Sequence, residues 1–280
     1  MLNKLFVALQ HLLPARTLGR IVYVLARSEK AWIARPLIVS FIKLFDVELA
    51  EAEGSKASSY KSFNEFFTRR LKPGARPFSA GTDELGCPAD GYVQHCGLIS
   101  AGELIQAKGM KYSAQELTGD TNDGIEAFRD GSYLTIYLAP HNYHRVHMPV
   151  DGSIEQARFI PGELFSVNKA TTQALPGLFV RNERLACRGR SAAGDFWIVF
   201  VGAMNVASIS TAWAGEIFPD RTAELPSVTR YAKGDYIGHF NLGSTVVLLF
   251  PENTVEWSRD LVPDRPLQVG ETIGRLLGRQ

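Results

Sequence analysis

Residues 241–245 read Asn-Leu-Gly-Ser-Thr and lead directly into the apolar run 246–250. A glycine before a short apolar run is typical of a turn that leads into a buried strand. The serine at position 244 is also a candidate nucleophile, although a hydroxyl reacts poorly unless a base accepts its proton. Gly243, directly before it, admits backbone conformations closed to other residues and leaves its carbonyl uncrowded.

Three histidines, His141, His144 and His147, recur at intervals of three between Pro140 and Pro149. The two prolines leave little room for a helix. In an extended strand, residues three apart point to opposite faces unless a bulge intervenes. The spacing therefore disfavours convergence on one metal ion, and we predict no metal site in this segment.

Seven further segments occur along the chain in the same order as in one known family. They are residues 69–77, 88–91, 141–149, 165–168, 182–184, 201–206 and 233–235. Together with residues 241–245, they resemble the phosphatidylserine decarboxylases, in which a Gly-Ser bond breaks and the serine becomes a pyruvoyl group. The resemblance implies self-cleavage between Gly243 and Ser244 into fragments 1–243 and 244–280.

The resemblance also implies roles for individual side chains. It assigns self-cleavage to Asp90, His147 and Ser244, with His147 accepting the hydroxyl proton and Asp90 orienting and stabilising the imidazolium. It links His144 to decarboxylation, either by delivering a proton to the α-carbon or by orienting the substrate carboxylate. His141 and His239 receive no catalytic role, and we expect them to be hydrogen-bonded structural residues.

Loss of CO₂ from an amino acid leaves electrons on the α-carbon that no ordinary side chain can delocalise. A pyruvoyl carbonyl derived from Ser244 would supply the electron sink through a Schiff base with the substrate amine. The sequence offers no glycine-rich phosphate cradle in a strand-turn-helix setting, so a pyridoxal phosphate site is not indicated. The implied reaction converts phosphatidylserine to phosphatidylethanolamine.

The charges of the chain nearly balance, with 30 basic and 29 acidic side chains. This balance argues against a general nucleic-acid binder. Residues 1–45 are an exception, because they carry seven basic side chains and one acidic one. The three cysteines show no metal-ligand spacing and no disulfide framework, which favours a reducing, cytoplasmic setting.

Apolar residues recur at helical spacing in three parts of the first 45 residues: 2–13, about 17–27, and a stretch expected to begin near Pro36. None is long enough to span a bilayer. Short cationic amphipathic helices suit an anionic membrane surface. We therefore expect peripheral association with the cytoplasmic face of the inner membrane through residues 1–45. The alternatives are a helical subdomain packed on the protein's own core and, less favoured, a signal peptide.

A dense basic cluster, residues 69–76, follows the helices and contains Arg69, Arg70, Lys72 and Arg76. Either the cluster is a solvated basic face, or its arginines contact lipid phosphate.

From about residue 83 onward, short alternating runs such as 133–138 and 196–201 are separated by glycine and Asp/Asn turns. The pattern predicts an α+β protein. We expect residues 1–60 to form a basic, amphipathic helical region and residues 61–280 to form a β-rich catalytic domain with sandwich or barrel-like packing. Because 246–250 should be a buried strand, we expect both fragments to remain associated after cleavage.

Three other functions remain open from the sequence. A soluble pyruvoyl-dependent amino-acid decarboxylase would share the chemistry, although it would not need a basic apolar N-terminus. A lipoyl or biotinyl carrier module would present an acylated Lys169 on a hairpin tip and an intact backbone at Ser244. A cleavage-dead scaffold has little support, because Asp90, His147 and Ser244 are all present. The family resemblance also suggests a homodimer.

Overall fold

The computed structural model describes residues 15–121, 123–203, 208–217 and 224–278. The predicted helix at residues 2–13 lies outside this part of the chain. The helices are α1 Ala15–Ala26, α2 Ala31–Phe45, α3 Phe63–Phe67, α4 Ala114–Thr118, α5 Lys169–Thr172 and α6 Leu178–Arg181, with 3₁₀ turns at Ala57–Ser59 and Asp123–Phe128.

Seventeen strands hold more of the described chain than the helices do. They are β1 Glu84–Gly86, β2 Gly91–Leu98, β3 Glu103–Ala107, β4 Met110–Ser113, β5 Ser132–Leu138, β6 Arg145–His147, β7 Gly152–Ile160, β8 Arg184–Ser191, β9 Gly194–Gly202, β10 Ile209–Thr211, β11 Gly215–Ile217, β12 Glu224–Tyr231, β13 Tyr236–Phe240, β14 Ser244–Phe250, β15 Val255–Trp257, β16 Pro266–Leu267 and β17 Thr272–Leu276.

The central element is an eight-stranded antiparallel sheet in the order β12-β7-β8-β9-β14-β5-β2-β16. Smaller sheets have the orders β11-β10-β13-β6 and β1-β17-β15, and β3 and β4 form a hairpin. The predicted β-rich fold is confirmed, but the barrel-like expectation is wrong. The sheets are open, and β12 and β16 are the two edges of the large sheet.

Both faces of the large sheet are buried. On one face, Val246 and Leu248 join a core that also contains Ile237 of β13 and Ile273 of β17. On the other face, Val247 packs in a second core with side chains from the β3-β4 hairpin and the short helices α4 and α6. Strand β14 is therefore buried along its whole length, as predicted from its apolar run.

The helices near the N-terminus form a third apolar cluster. Ala34 and Ile38 of α2 pack with Phe66 and Phe67 of α3, and Leu242 joins them from the segment before β14. The cluster thus contains residues from both sides of the predicted boundary at residue 60, which itself stays a prediction. No helix in the described ranges combines the length and the hydropathy that a membrane span requires.

Helix α2 begins earlier than the sequence suggested. Pro36 was expected at its first turn, but the helix starts at Ala31 and contains the proline as its sixth residue. Proline at this position removes one backbone hydrogen bond, because an amide here would otherwise donate to the carbonyl oxygen of Trp32. Burial of Ala34 and Ile38 on both sides of Pro36 stabilises the longer helix.

Candidate active site

Ser244 is the first residue of β14 and lies in the middle of the large sheet. Its ladder partners are Leu138 of β5 and Gly202 of β9, and its side chain is fully buried. The preceding residue, Gly243, has φ = +40°, in the left-handed region that glycine tolerates best. The predicted turn into a buried strand is therefore confirmed. The Gly243–Ser244 bond lies at the junction where this turn meets β14.

His144 is the imidazole beside Ser244. Its Nδ1 lies 3.4 Å from Ser244 Oγ. The ring of Phe67 stacks on the other side of the imidazole, with 4.0 Å between centroids and 25° between planes. Burial, and after it the charge of Arg69, lowers the pKa of His144 to about 3, against the opposing effect of nearby backbone carbonyls. The imidazole is therefore neutral at neutral pH.

His147 has different partners. Its Nδ1 donates to the carbonyl oxygen of Gly234 at 2.8 Å, so its Nε2 accepts from the hydroxyl of Tyr143 at 3.0 Å. Burial lowers the pKa of His147, whereas the Gly234 carbonyl and the charge of Asp90 act in the opposite direction. His147 and Tyr143 line a small pocket of about 160 Å³ together with Arg76.

Asp90 lies at the edge of this region and is almost fully buried. Its carboxylate accepts a hydrogen bond from the backbone amide of Val269 at 2.8 Å and one from Arg76 Nη2 at 3.3 Å. Among the described residues, Val269 and Arg76 donate hydrogen bonds to the Asp90 carboxylate, and His147 does not. Asp90 acts on that imidazole through its charge, which favours the protonated form.

The structure thus brings Ser244 next to His144. His147 lines the small pocket, and Asp90 is hydrogen-bonded to Arg76 and Val269 of the same lining. Distance favours His144 as the acceptor of the Ser244 proton. Burial opposes a cation on both imidazoles. The nearby charges favour His147, because Arg69 opposes a cation on His144 whereas Asp90 supports one on His147. The roles that the sequence assigns to Asp90, His144 and His147 stay predictions, and the two histidine variants treated in the Discussion separate them.

The basic cluster, residues 69–76, does not form one solvated face. Arg69 is only 5% exposed, and its Nη2 donates to the carbonyl oxygens of His141 at 2.9 Å and Asn142 at 3.3 Å. Arg76 forms ion pairs with Glu51 and Asp90. Arg69 therefore braces the loop that carries His144, and Arg76 orients Asp90.

Sequence reasoning placed neither Phe67 nor Tyr143 in the site, and it considered only solvent or lipid phosphate as the surroundings of Arg69. Each of the three nevertheless contacts a predicted site residue or its loop. The three phenylalanines of residues 63–67 were the available signal, since so apolar a short segment must pack on something. His141 and His239 have hydrogen bonds with the hydroxyls of Tyr92 and Tyr236, respectively, as expected of structural histidines.

The stability of the folded chain should fall as the pH drops below about 6.5. Burial is the main cause that lowers the pKa of His144 from 6.5 to about 3 and that of His239 from 6.5 to about 4. Below pH 6.5 the unfolded chain takes up protons at these histidines and the folded chain does not. Their contribution is complete above that pH and is lost as the pH falls toward the folded pKa values.

Urea unfolding at about pH 5, 6 and 7 measures this dependence. Each of the two histidines should contribute to the free energy of unfolding a slope that approaches about 1.4 kcal/mol per pH unit near pH 5, where the unfolded form is almost fully protonated. His144→Gln should remove one such contribution. Identical slopes for the variant and the unchanged chain would contradict a buried neutral His144.

Comparison with known proteins places this site in a family. The family model described as phosphatidylserine decarboxylase matches residues 63–275, and a second one, described as PSD, matches residues 5–46. Proteins named phosphatidylserine decarboxylase proenzyme are 42% identical in Saccharophagus degradans (99% of each chain covered) and 42% identical in Alcanivorax borkumensis (97% of this chain, 96% of the relative). The relative from Shewanella sediminis is 40% identical, with 98% of this chain and 99% of the relative covered. The chain therefore belongs to the phosphatidylserine decarboxylase family.

Proposed function

We propose that this protein decarboxylates phosphatidylserine to phosphatidylethanolamine, using a pyruvoyl group that it makes from its own Ser244. The observation that carries the proposal is the junction itself. A buried serine hydroxyl follows a glycine with φ = +40° and lies 3.4 Å from a neutral imidazole, in a chain that belongs to this family. A serine in this setting fits the precursor of such a group.

Maturation begins when Ser244 Oγ attacks the carbonyl carbon of Gly243. An ester bond forms, the peptide C–N bond breaks, and the serine nitrogen becomes a free amine. Removal of the α-proton of residue 244 then expels the Gly243 carboxylate, and addition of water with loss of ammonia leaves the ketone. The chain must supply a base for the hydroxyl, and its candidates are His144 and His147.

When formed, the pyruvoyl carbonyl accepts the electrons that CO₂ leaves behind on the α-carbon. We assign His144 to the decarboxylation step, because its imidazole lies beside position 244 and is held in place by Phe67. It either orients the substrate carboxylate as a neutral imidazole or, once protonated, delivers a proton to that carbon. A neutral imidazole also suits a carboxylate that must lose its charge, because a cation would stabilise that charge in the ground state.

The fragments 1–243 and 244–280 should remain together after cleavage. Strand β14 belongs to the small fragment and lies between β9 and β5 of the large one. Strands β16 and β17, also in the small fragment, pair with β2 and β1. Separation would expose both faces of a buried strand and its ladder hydrogen bonds, which is a large free-energy cost.

We further propose that the protein docks on the cytoplasmic face of the inner membrane through residues 1–45. Large apolar side chains of α1 and α2 are exposed although basic residues accompany them in the sequence. They are Ile21, Val24, Leu25, Trp32, Leu37, Val39 and Leu44. An apolar surface within a cationic segment suits an anionic bilayer.

Sedimentation with phosphatidylglycerol vesicles tests the docking surface. Trp32→Ser with Leu44→Ser should weaken binding at least about tenfold, because a large apolar side chain contributes about 1.5–3 kcal/mol on burial. Leu98→Ser is the matched control, since Leu98 is equally exposed but lies at the end of β2. Unchanged sedimentation of the double variant would exclude this surface.

Release of CO₂ from carboxyl-labelled phosphatidylserine in detergent micelles tests the proposed activity. We expect turnover of the lipid, little turnover of free serine, and loss of activity on treatment with a carbonyl reagent such as phenylhydrazine. Equal turnover of free amino acids would favour the soluble decarboxylase. The homodimer stays a prediction, which sedimentation equilibrium of the same preparation tests.

The carrier-module alternative loses its structural basis. Lys169 was expected at a hairpin tip, but it is the first residue of helix α5, which Asn168 caps. Its Nζ lies 2.5 Å from a carboxylate oxygen of Asp264. A lysine used for acylation on a carrier domain projects from a tight turn between strands, so this segment does not provide that presentation.

A further inference from the structure

Asn241 fixes the chain just before the Gly243–Ser244 bond. It is buried, and its Nδ2 lies within hydrogen-bond distance of Ser208 Oγ at 2.7 Å, Ser210 Oγ at 3.1 Å and the Ser208 carbonyl oxygen at 3.2 Å. Its backbone amide donates to the same carbonyl at 3.1 Å. The Ser208 hydroxyl donates its own proton to Glu216, so its oxygen is oriented to accept from Asn241.

The side-chain oxygen of Asn241, Oδ1, accepts a hydrogen bond from the helical region. Asn64 of α3 donates from Nδ2 to Asn241 Oδ1 at 3.1 Å, although 177 residues separate the two in sequence. Helix α3 cannot shift easily, because Phe66 and Phe67 are buried and Ser62 caps its first turn through the amide of Glu65. The position of Asn64 is therefore set by the apolar cluster of the helices.

The chain between Asn241 and Ser244 contains only Leu242 and Gly243. Ser244 is fixed by its ladder partners on both sides, and Leu242 packs against the same helical cluster. Both ends of this short turn are thus held, and Gly243 adopts its positive φ between them.

We propose that Asn64 and Asn241 act together as positioning residues for self-cleavage at Gly243–Ser244. The inference rests on the proposed maturation chemistry and identifies residues that serve it. Ser244 Oγ must approach the carbonyl carbon of the residue directly before it, which requires one narrow combination of the Gly243 backbone and the Ser244 side-chain torsion. Misplacement by about 1 Å in such a reaction costs about a hundredfold in rate.

The proposal gives the helical region a second task. Phe67 stacks on His144, Leu242 packs among the helices and Asn64 bonds to Asn241, so one short segment contacts both the imidazole and the scissile turn. A helical region that only docked on a surface would need none of these contacts.

A double-mutant cycle tests the proposal in the full chain. Asn64→Ala, Asn241→Ala and the double variant are synthesised in a cell-free system, and the fraction cut at Gly243–Ser244 is followed over time by mass spectrometry. Each single variant should cleave at least about tenfold more slowly. The double variant should cleave no more slowly than the slower single one, because both changes break one unit. If Asn241→Ala does not fold, Asn241→Asp replaces it in the test. The aspartate can still accept a hydrogen bond from Asn64 but cannot donate one to Ser208, so this variant should also cleave more slowly.

Two controls separate positioning from general destabilisation. Thr68→Val removes the hydroxyl bond to the Asn64 carbonyl in the same helix and leaves Asn241 untouched, so it should cleave at the unchanged rate. Unfolding free energies are measured in the uncleavable Ser244→Ala background. The inference would be overturned if Asn64→Ala cleaved at the unchanged rate. It would also be overturned if the effects of the two single variants added in the double variant and each loss of rate matched a loss of unfolding free energy. Failure of the unchanged chain to cleave would instead overturn the proposed function.

Discussion

Ser244→Ala should leave the 280-residue chain uncut and should abolish decarboxylation of phosphatidylserine. Alanine cannot form the ester with Gly243, so neither the chain break nor the carbonyl group arises. The variant should still fold, because it removes one buried oxygen from the end of a strand that the ladders with β5 and β9 hold in place. Gel electrophoresis and labelled CO₂ release measure the two losses separately.

The matched control for this variant is Ser132→Ala. Ser132 is also buried and pairs with Phe250 at the other end of β14, so the substitution makes the same chemical change far from the scissile bond. It should cleave and turn over normally. Cleavage or retained activity in Ser244→Ala would show that Ser244 is not the source of the electrophile.

His147→Ala should give an uncleaved chain, whereas His144→Ala should cleave and then decarboxylate at least about a hundredfold more slowly. The expectation for His147 follows from the family resemblance and from Asp90, whose charge supports an imidazolium there. The expectation for His144 follows from its position beside residue 244 and from an environment that opposes a positive charge.

The 3.4 Å distance between His144 Nδ1 and Ser244 Oγ makes the opposite result informative. An uncleaved His144→Ala chain together with a cleaved His147→Ala chain would identify His144 as the base for maturation. Asp90→Asn then provides a further check. It should resemble His147→Ala if the charge of Asp90 assists cleavage, and it should cleave normally if His144 alone accepts the proton.

The sequence predicted the local structure of the Gly243–Ser244 junction well, because the determinants of that structure are local. A glycine followed by a serine and an apolar run specifies a turn and a buried strand, and β14 begins at Ser244. The helical periodicity of residues 17–27 likewise corresponds to α1. The start of α2 was misjudged, because burial of Ala34 and Ile38 outweighs the loss of one hydrogen bond at Pro36.

The surroundings of the junction were not predictable in the same way. Asn64 reaches Asn241 across 177 residues, and Arg69 reaches the carbonyl of His141 across 72. Such contacts depend on how the helical cluster packs against the sheet, and no periodicity in one sequence encodes that packing. The sequence was equally unable to show whether His144 or His147 lies beside Ser244. Both histidines lie in one short segment, and only the fold decides which imidazole faces the serine.

Intact mass spectrometry of the purified chain under denaturing conditions tests the central claim most directly. The account predicts two species, one ending at Gly243 and one comprising residues 244–280 that is lighter than a serine-initiated peptide by one ammonia. A single unmodified 280-residue mass that persists on incubation would contradict a self-made pyruvoyl group.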